Sequence, residues 1–246
     1  MARFFLDLEG IPPHRCVTFN EDDAVHIARV LRLKPGEQVE VVLAGRVYLA
    51  QLTTVQPGLV QAEVGEPLDT NSESGLALHL FQGLPKGDKL DLVIQKATEL
   101  GVTSITPVLT ERVVVKLKSN SVAKKVQRWQ RIALEAAKLS KRQMVPQVNQ
   151  PISLQQLPKI PQHQLALVAW EEERAGLRPL LQNSNYQSVS VLVGPEGGLA
   201  SGEIDFLLSQ GWQSVSLGPR ILRTETAPLA LLAIIQYELG DLGGSK

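Results

Sequence analysis

Across the first seventy residues the apolar side chains come in short runs broken by polar ones. Val39, Val41 and Leu43 alternate with Gln38, Glu40 and Val42, the period of a strand half buried against a core. The runs RFFLD, RCVTF, EQVEVVLA, RVYLAQLTTV and LVQAEVGEP predict strands, DDAVHIARVLRL a short helix, and KPGE at 34–37 a turn. Such a set implies a small β-barrel over residues 1–70. The stretch DTNSESG at 69–75 is small, polar and turn-forming, and marks a linker.

Beyond the linker, strands alternate with helices. LALHLFQ predicts a strand; DKLDLVIQKATEL places Leu90, Val93, Ile94 and Ala97 on one helical face and stops at Gly101. Strand SITPVL, a long basic helix over about residues 123–140, strands LALVAW and SVSVLVG, helix GEIDFLLSQ, strand QSVSL and helix PLALLAIIQYEL follow. This order predicts an α/β domain over residues 75–246, on a mainly parallel sheet covered on both faces. The last helix is apolar almost all round, so it must be buried on most sides, within the fold or against a second subunit.

Composition supports this picture, since 246 residues with 43% hydrophobic content can build one large or two modest cores. Net charge is zero, but its distribution is uneven. Residues 1–75 carry 6 basic and 11 acidic side chains, 76–150 carry 13 and 5, and 151–246 carry 6 and 9. Arg112, Lys116, Lys118, Lys124, Lys125, Arg128, Arg131, Lys138, Lys141 and Arg142 stand with one acid, Glu135, between residues 112 and 142. An ordinary solvated face interleaves both signs; this run suits a polyanion such as nucleic acid.

A single cysteine, Cys16, excludes an internal disulfide and fits a reducing compartment. His14, His26, His79 and His163 stand singly with no metal-ligand spacing, so no metal is expected. The start MARFFLDLEG has acids where a signal peptide needs its apolar run, and no apolar segment reaches the roughly 20 residues that span a bilayer. The expectation is a soluble cytoplasmic protein.

In parallel sheets, ligands bind beyond the carboxyl ends of the strands. Three successive strands here end in unusual loops, one beginning AWEE, one GPEGG and one GPRILRTET. In GPEGG, Gly194, Gly197 and Gly198 let backbone amides approach a ligand, and Ser201 can cap the helix that follows. Neither a P-loop nor a G-x-G-x-x-G fingerprint is present. With Glu196 in the loop and no lysine there, a triphosphate would be poorly neutralised, so an adenosine-bearing ligand without phosphates fits better. Arg220 and Arg223 cannot both be buried; either they meet a ligand or they pair with Glu225 or Glu196. Thr226 and Pro228 supply helix-start chemistry.

GPEGG followed by SLGPRILRTETA resembles the SPOUT-class RNA methyltransferases, in particular the bacterial ribosomal RNA small subunit methyltransferase E family. HIARVLRLKPGEQVEV, PKGDKLDLVIQKATELGV and RWQRIALEAAKLSKRQMVP extend the resemblance over nearly the whole chain. One departure is KLSKR at 138–142, where many relatives read approximately EQSGR; Arg142 is retained, while Leu139 and Lys141 differ. The resemblance implies an N-terminal PUA-like β-barrel for RNA, a C-terminal SPOUT α/β domain whose trefoil knot cradles S-adenosylmethionine, and a homodimer. It implies methylation of ring nitrogen 3 of a uridine in 16S ribosomal RNA.

On that basis Gly194, Glu196, Gly197, Gly198, Leu217, Gly218, Ile221 and Leu222 surround the methyl donor, and Arg220 and Arg223 contact the target uracil or its phosphate. Lys86, Lys124, Lys125, Arg128, Arg131 and Arg142 contact RNA, and Glu196, Glu225 or a water accepts the proton. The rival readings are a SPOUT ribose 2′-O-methyltransferase, a non-catalytic RNA-binding protein on the same fold, and a phosphate-metabolite enzyme that leaves the basic segment unexplained.

Overall fold

The computed structural model describes residues 1–113, 119–161, 164–182 and 185–244; Lys116, Lys118 and His163 lie outside them. The chain divides into two units. One comprises Met1–Glu73 with Ala137–Met144, the other Ser74–Ala136 with Val145–Lys246.

The first unit contains strands β1 (Arg3–Phe5), β2 (Cys16–Thr18), β3 (Gln38–Leu43), β4 (Arg46–Gln56) and β5 (Leu59–Pro67), hydrogen-bonded in the order β1-β3-β4-β5-β2. Val39, Val41 and Leu43 point inward, as their alternation requires, onto a core with Phe4, Ile27, Leu52 and Val64. The expected barrel is not closed by hydrogen bonds. Strands β1 and β2 end the order, each has only three residues, and β1 pairs instead with β3 in parallel. Side chains bridge part of the gap, with Phe4 of β1 edge-on to Phe19, the residue after β2, at 5.4 Å.

The predicted helix after β2 is two pieces. Helix α1 (Glu21–Val25) is capped by Asn20, whose side chain accepts from the Asp23 amide at 2.9 Å. A wider π-type turn, His26–Val30, continues it, with the Leu31 amide reaching back to the His26 carbonyl.

The second unit is a seven-stranded sheet in which every pairing is parallel. Its order is β12-β10-β11-β6-β7-β8, with β9 on β7. The strands are β6 (Ala77–Gly83), β7 (Ser104–Leu109), β8 (Gln147–Val148), β9 (Ile152–Ser153), β10 (Leu165–Ala169), β11 (Ser188–Val193) and β12 (Gln213–Val215). Helices α2 (Lys89–Glu99), α3 (Ser119–Leu139), α4 (Arg178–Leu181), α5 (Ser201–Ser209) and α6 (Ala227–Glu238) complete the order. The alternation of the strands builds two cores. Leu165, Leu167, Val189 and Val191 pack with α2 and α6, whereas Ala166, Val168 and Leu192 pack with Ile204, Leu207 and Trp212. Both faces are therefore covered, which is why these strands read as nearly continuous apolar runs.

Helix α3 starts four residues earlier than its pattern suggests. It buries Trp129, Ala133 and Ala136 along one stripe, with Lys124, Arg128 and Arg131 exposed opposite. Its last three residues group with the first unit. There Lys138 meets the buried Asp23 at 2.7 Å, and Lys141 and Arg3 both hold Glu40, at 2.8 and 2.9 Å. Arg142, expected at an RNA surface, is a correction. It is 4% exposed and its guanidinium is bound by Glu73 at 2.6 Å, so its charge is spent on an internal pair.

Candidate active site

Because the sheet is parallel, β10, β11 and β12 release their loops at one edge. Residues 170–176, 194–200 and 216–226 converge there on a single cleft of about 790 Å3. Backbone bonds tie the first loop to the end of β12 and to the third loop, from the Trp170 amide to the Val215 carbonyl at 3.1 Å and from the Ser216 amide to the Ala175 carbonyl at 2.8 Å. The second and third are joined by Thr224, whose hydroxyl donates to the Gly194 carbonyl at 2.8 Å and accepts from Gln82 Nε2 at 3.1 Å.

The glycines act by what they leave out. A Cβ on Gly83, at the end of β6, would lie 2.6 Å from the Pro195 ring, so β6 can approach the second loop only as glycine. Gly198 has φ +68°, and a Cβ there would meet the Glu171 carboxylate at 2.3 Å. The N-cap of helix α5 is Ala200, which offers no side-chain acceptor. Ser201, expected to cap it, is its first helical residue. The cap is supplied by Glu203, which accepts from the Ala200 amide at 2.9 Å and the Glu111 amide at 2.8 Å.

Of the residues assigned to the donor, Gly194, Glu196, Gly198, Leu217, Gly218, Ile221 and Leu222 line the cleft, and so do Arg220 and Arg223. Gly197 does not; its carbonyl accepts from Arg112 at 2.9 Å. Arg223 is 83% exposed, and its nearest carboxylate, Glu225, is 3.9 Å away. That long contact is too weak to retain the arginine as a structural ion pair. Ile221 is 88% exposed between the two arginines, an apolar side chain presented to solvent at the cleft.

Lys89, at the start of α2, also lines the cleft, and its Nζ lies 3.0 Å from Glu196 and 3.5 Å from Glu225. Glu196 in addition accepts from the Lys86 amide at 3.1 Å. Burial pushes the Glu196 carboxyl upward, but the Lys89 ammonium and the backbone donors outweigh it and hold it below the usual carboxylate range. The hydrogen bond to Glu196 raises Lys89 in turn. A carboxylate held this way is a poor proton acceptor. Glu173 is lowered by the Ala175 amide, the Ser214 hydroxyl and the Arg174 amide.

Lys89, Glu171, Arg174, Gln82 and Thr224 were not singled out from the sequence. Glu171 sits in the loop flagged as unusual, so a signal existed for it. Lys89 carried none, because 107 residues separate it from Glu196.

Of the residues expected at RNA, Lys86, Lys124 and Arg131 are exposed and Lys125 is half-buried. Arg128 is exposed but paired with Asp91, and with Asp88 at 3.4 Å. Among the described residues no helix is long and apolar enough to cross a membrane, and no three His, Cys, Asp or Glu side chains gather as a metal site.

A covered parallel sheet with a bare-backbone cleft at its carboxyl edge, in a chain that also carries a separate small β unit, defines a class. Residues 72–236 match an RNA methyltransferase domain and residues 19–65 an RNA methyltransferase PUA domain.

Ribosomal RNA small subunit methyltransferase E of Bacillus subtilis is 36% identical over all of both chains. That of Synechocystis is 38% identical over 89% of this chain and 72% of its own. The chain belongs to the ribosomal RNA small subunit methyltransferase E family. A crystal structure of the Neisseria gonorrhoeae member bound to S-adenosyl methionine superposes with a TM-score of 0.88 at 35% identity, covering 98% of this chain and 99% of that one. A Legionella pneumophila methyltransferase in complex with the same cofactor gives 0.89 at 32% identity, with 98% and 99% covered.

Proposed function

We propose that this protein transfers a methyl group from S-adenosylmethionine to ring nitrogen 3 of a uridine in 16S ribosomal RNA. The observation that carries this reading is the cleft itself, in which bare main chain, apolar walls and side chains of both charges occur together. Its volume is that of a small-molecule site. The glycine loop admits a ligand against its backbone, the apolar Val193, Leu199 and Leu217 suit an adenine, and the mixed charges suit a zwitterionic amino-acid tail. The methyltransferases that the chain resembles, with this cofactor bound, support the same choice.

When bound, S-adenosylmethionine supplies an electrophilic methyl group on a sulfonium. Gly194, Gly198, Gly218, Leu217 and Leu222 would hold it, with Glu196 at the cleft fixed by Lys89. Nitrogen 3 of uracil becomes a nucleophile only as its proton leaves, and the charge spreads to the flanking carbonyl oxygens. Arg220 and Arg223 are planar, permanently cationic and exposed at the cleft, so they can stabilise that charge or hold the adjoining phosphate. The exposed Ile221 between them offers a surface to a base. Glu196, held below the usual carboxylate range by Lys89 and backbone donors, is a weak acceptor, which favours Glu225 or solvent for the proton.

Two finer readings go with this one. After β12, at the sheet edge, the chain passes the loop that follows β10 before α6 packs on β11 and β6; that crossing supports a trefoil knot of the SPOUT kind. Helix α6 leaves Ile234 and Tyr237 42% and 62% exposed, an apolar face that supports a homodimer. The place of work is the cytoplasm.

Reverse-transcription mapping and nucleoside mass spectrometry of 16S RNA, from cells with and without the gene, test the reaction. A 3-methyluridine that disappears with the gene is expected. Loss of a ribose 2′-O-methyl group instead would overturn the assignment.

A further inference from the structure

The cleft holds an acid that the reading above does not use. Four glutamates stand in or beside it, and three are committed. Glu173 accepts from the Arg174 and Ala175 amides at 2.7 and 2.9 Å and from the Ser214 hydroxyl, Glu196 binds Lys86 and Lys89, and Glu225 lies against Lys89. Glu171 lines the cleft, is exposed, and has no hydrogen-bond or ion-pair partner among the described residues. It is also well placed. Its carboxylate occupies the space over Gly198 where any other residue would put a Cβ, directly against the bare main chain of the glycine loop. The positive φ of Gly198 and the carboxylate above it thus form one wall of the cleft.

Resting on the assignment of an adenosyl donor to this cleft, we infer that Glu171 is a cofactor-binding residue that accepts hydrogen bonds from the ribose hydroxyls of that donor. The chemistry selects the diol. An adenine has apolar walls to lie between, and a tail carboxylate has the exposed Arg174 available in the same cleft. Two adjacent hydroxyls are the pair of neutral donors that one carboxylate can accept with both oxygens, as acids do for the ribose in dinucleotide sites. Glu171 lies on the loop after β10, and the apolar Val193 and Leu199 stand at the end of β11 and on the loop after it. This places the nucleoside against the β10 and β11 loops.

The test is calorimetric titration of the full chain, wild type and Glu171→Gln, with S-adenosylhomocysteine, 5′-methylthioadenosine, and the 2′-deoxy and 3′-deoxy forms of the latter. Hydrogen bonds to a charged acceptor predict that wild type prefers the diol over the deoxy ligands by roughly 10- to 100-fold. Glu171→Gln should reduce that preference to near unity while binding the deoxy ligands like wild type, and Glu171→Asp should fall between. An unchanged preference in Glu171→Gln would overturn the inference. So would a loss seen with S-adenosylhomocysteine but not with methylthioadenosine, which lacks the amino-acid tail and would identify the ammonium as the partner. If wild type binds none of the four ligands, the donor assignment fails, and this inference with it.

Discussion

Arg220 and Arg223 owe their place to a conflict that the sequence already contained. Two guanidiniums lie three residues apart on an apolar loop, and nothing nearby neutralises both. The structure leaves Arg223 almost fully exposed beside an exposed Ile221. For Arg220→Ala, single-turnover methylation should slow by about 100- to 1000-fold, roughly 2.7–4 kcal/mol of transition-state stabilisation, with donor affinity by calorimetry nearly unchanged. A proportionate loss of donor binding would make Arg220 part of the donor pocket instead. At Gly198 the loss should be reversed in kind. Gly198→Ala forces a side chain into a positive φ and against Glu171, so donor affinity should collapse while RNA binding persists. The sequence named this glycine, but the carboxylate above it belongs to another loop, 27 positions earlier.

Among the elements, the segment Ala137–Met144 departs most from expectation. Its cations looked like more of the polyanion run, yet Lys138, Lys141 and Arg142 are matched to Asp23, Glu40 and Glu73. Charge counting along a chain cannot see such partners, which lie 69 to 115 positions away. Arg142→Met leaves Glu73 half-enclosed without its cation, and the cost should be about 3–5 kcal/mol, read as a lower thermal midpoint. The salt dependence of RNA binding should not move.

Glu40 adds a pH signature to the same segment. Burial raises it, but Lys141 and Arg3 together bring it below the usual carboxylate value. A depressed carboxyl stabilises the fold at pH above its unfolded value of about 4.3, and that contribution is lost as pH falls through the folded value. Glu40→Gln should therefore lower stability at neutral pH and flatten its decline below pH ~4 in denaturant titrations. The periodic elements were easier to read. The β3 alternation and the apolar face of α2 both follow from local spacing, whereas the two-residue strands β8 and β9 have too few positions to show a period.

For the whole molecule, the proposed RNA surface on α3 and the proposed dimer face on α6 each predict an outcome. RNA affinity should fall steeply with salt, and replacing Lys124, Lys125 and Arg131 by Gln should flatten the slope by roughly 0.7–0.9 for each phosphate that is no longer neutralised. An unchanged slope would remove α3 from the RNA surface. Tyr237→Glu puts a charge on the exposed face of α6 and should shift sedimentation from dimer to monomer. If the mass is that of a monomer for both proteins, that face has another purpose.

Sequence by itself determined what is local or carried by type: the periods that make strands and helices, the parallel α/β order, the glycine loops and two arginines that cannot both be buried. It could not determine closure of the first sheet, because closing depends on whether two three-residue edges find each other. Nor could it tell Arg142 from Lys124 or find Lys89, because a charge takes its meaning from the partner that folding brings within hydrogen-bonding reach. Only the tertiary structure sorted the cations into those that hold the molecule together and those left facing the cleft and the solvent.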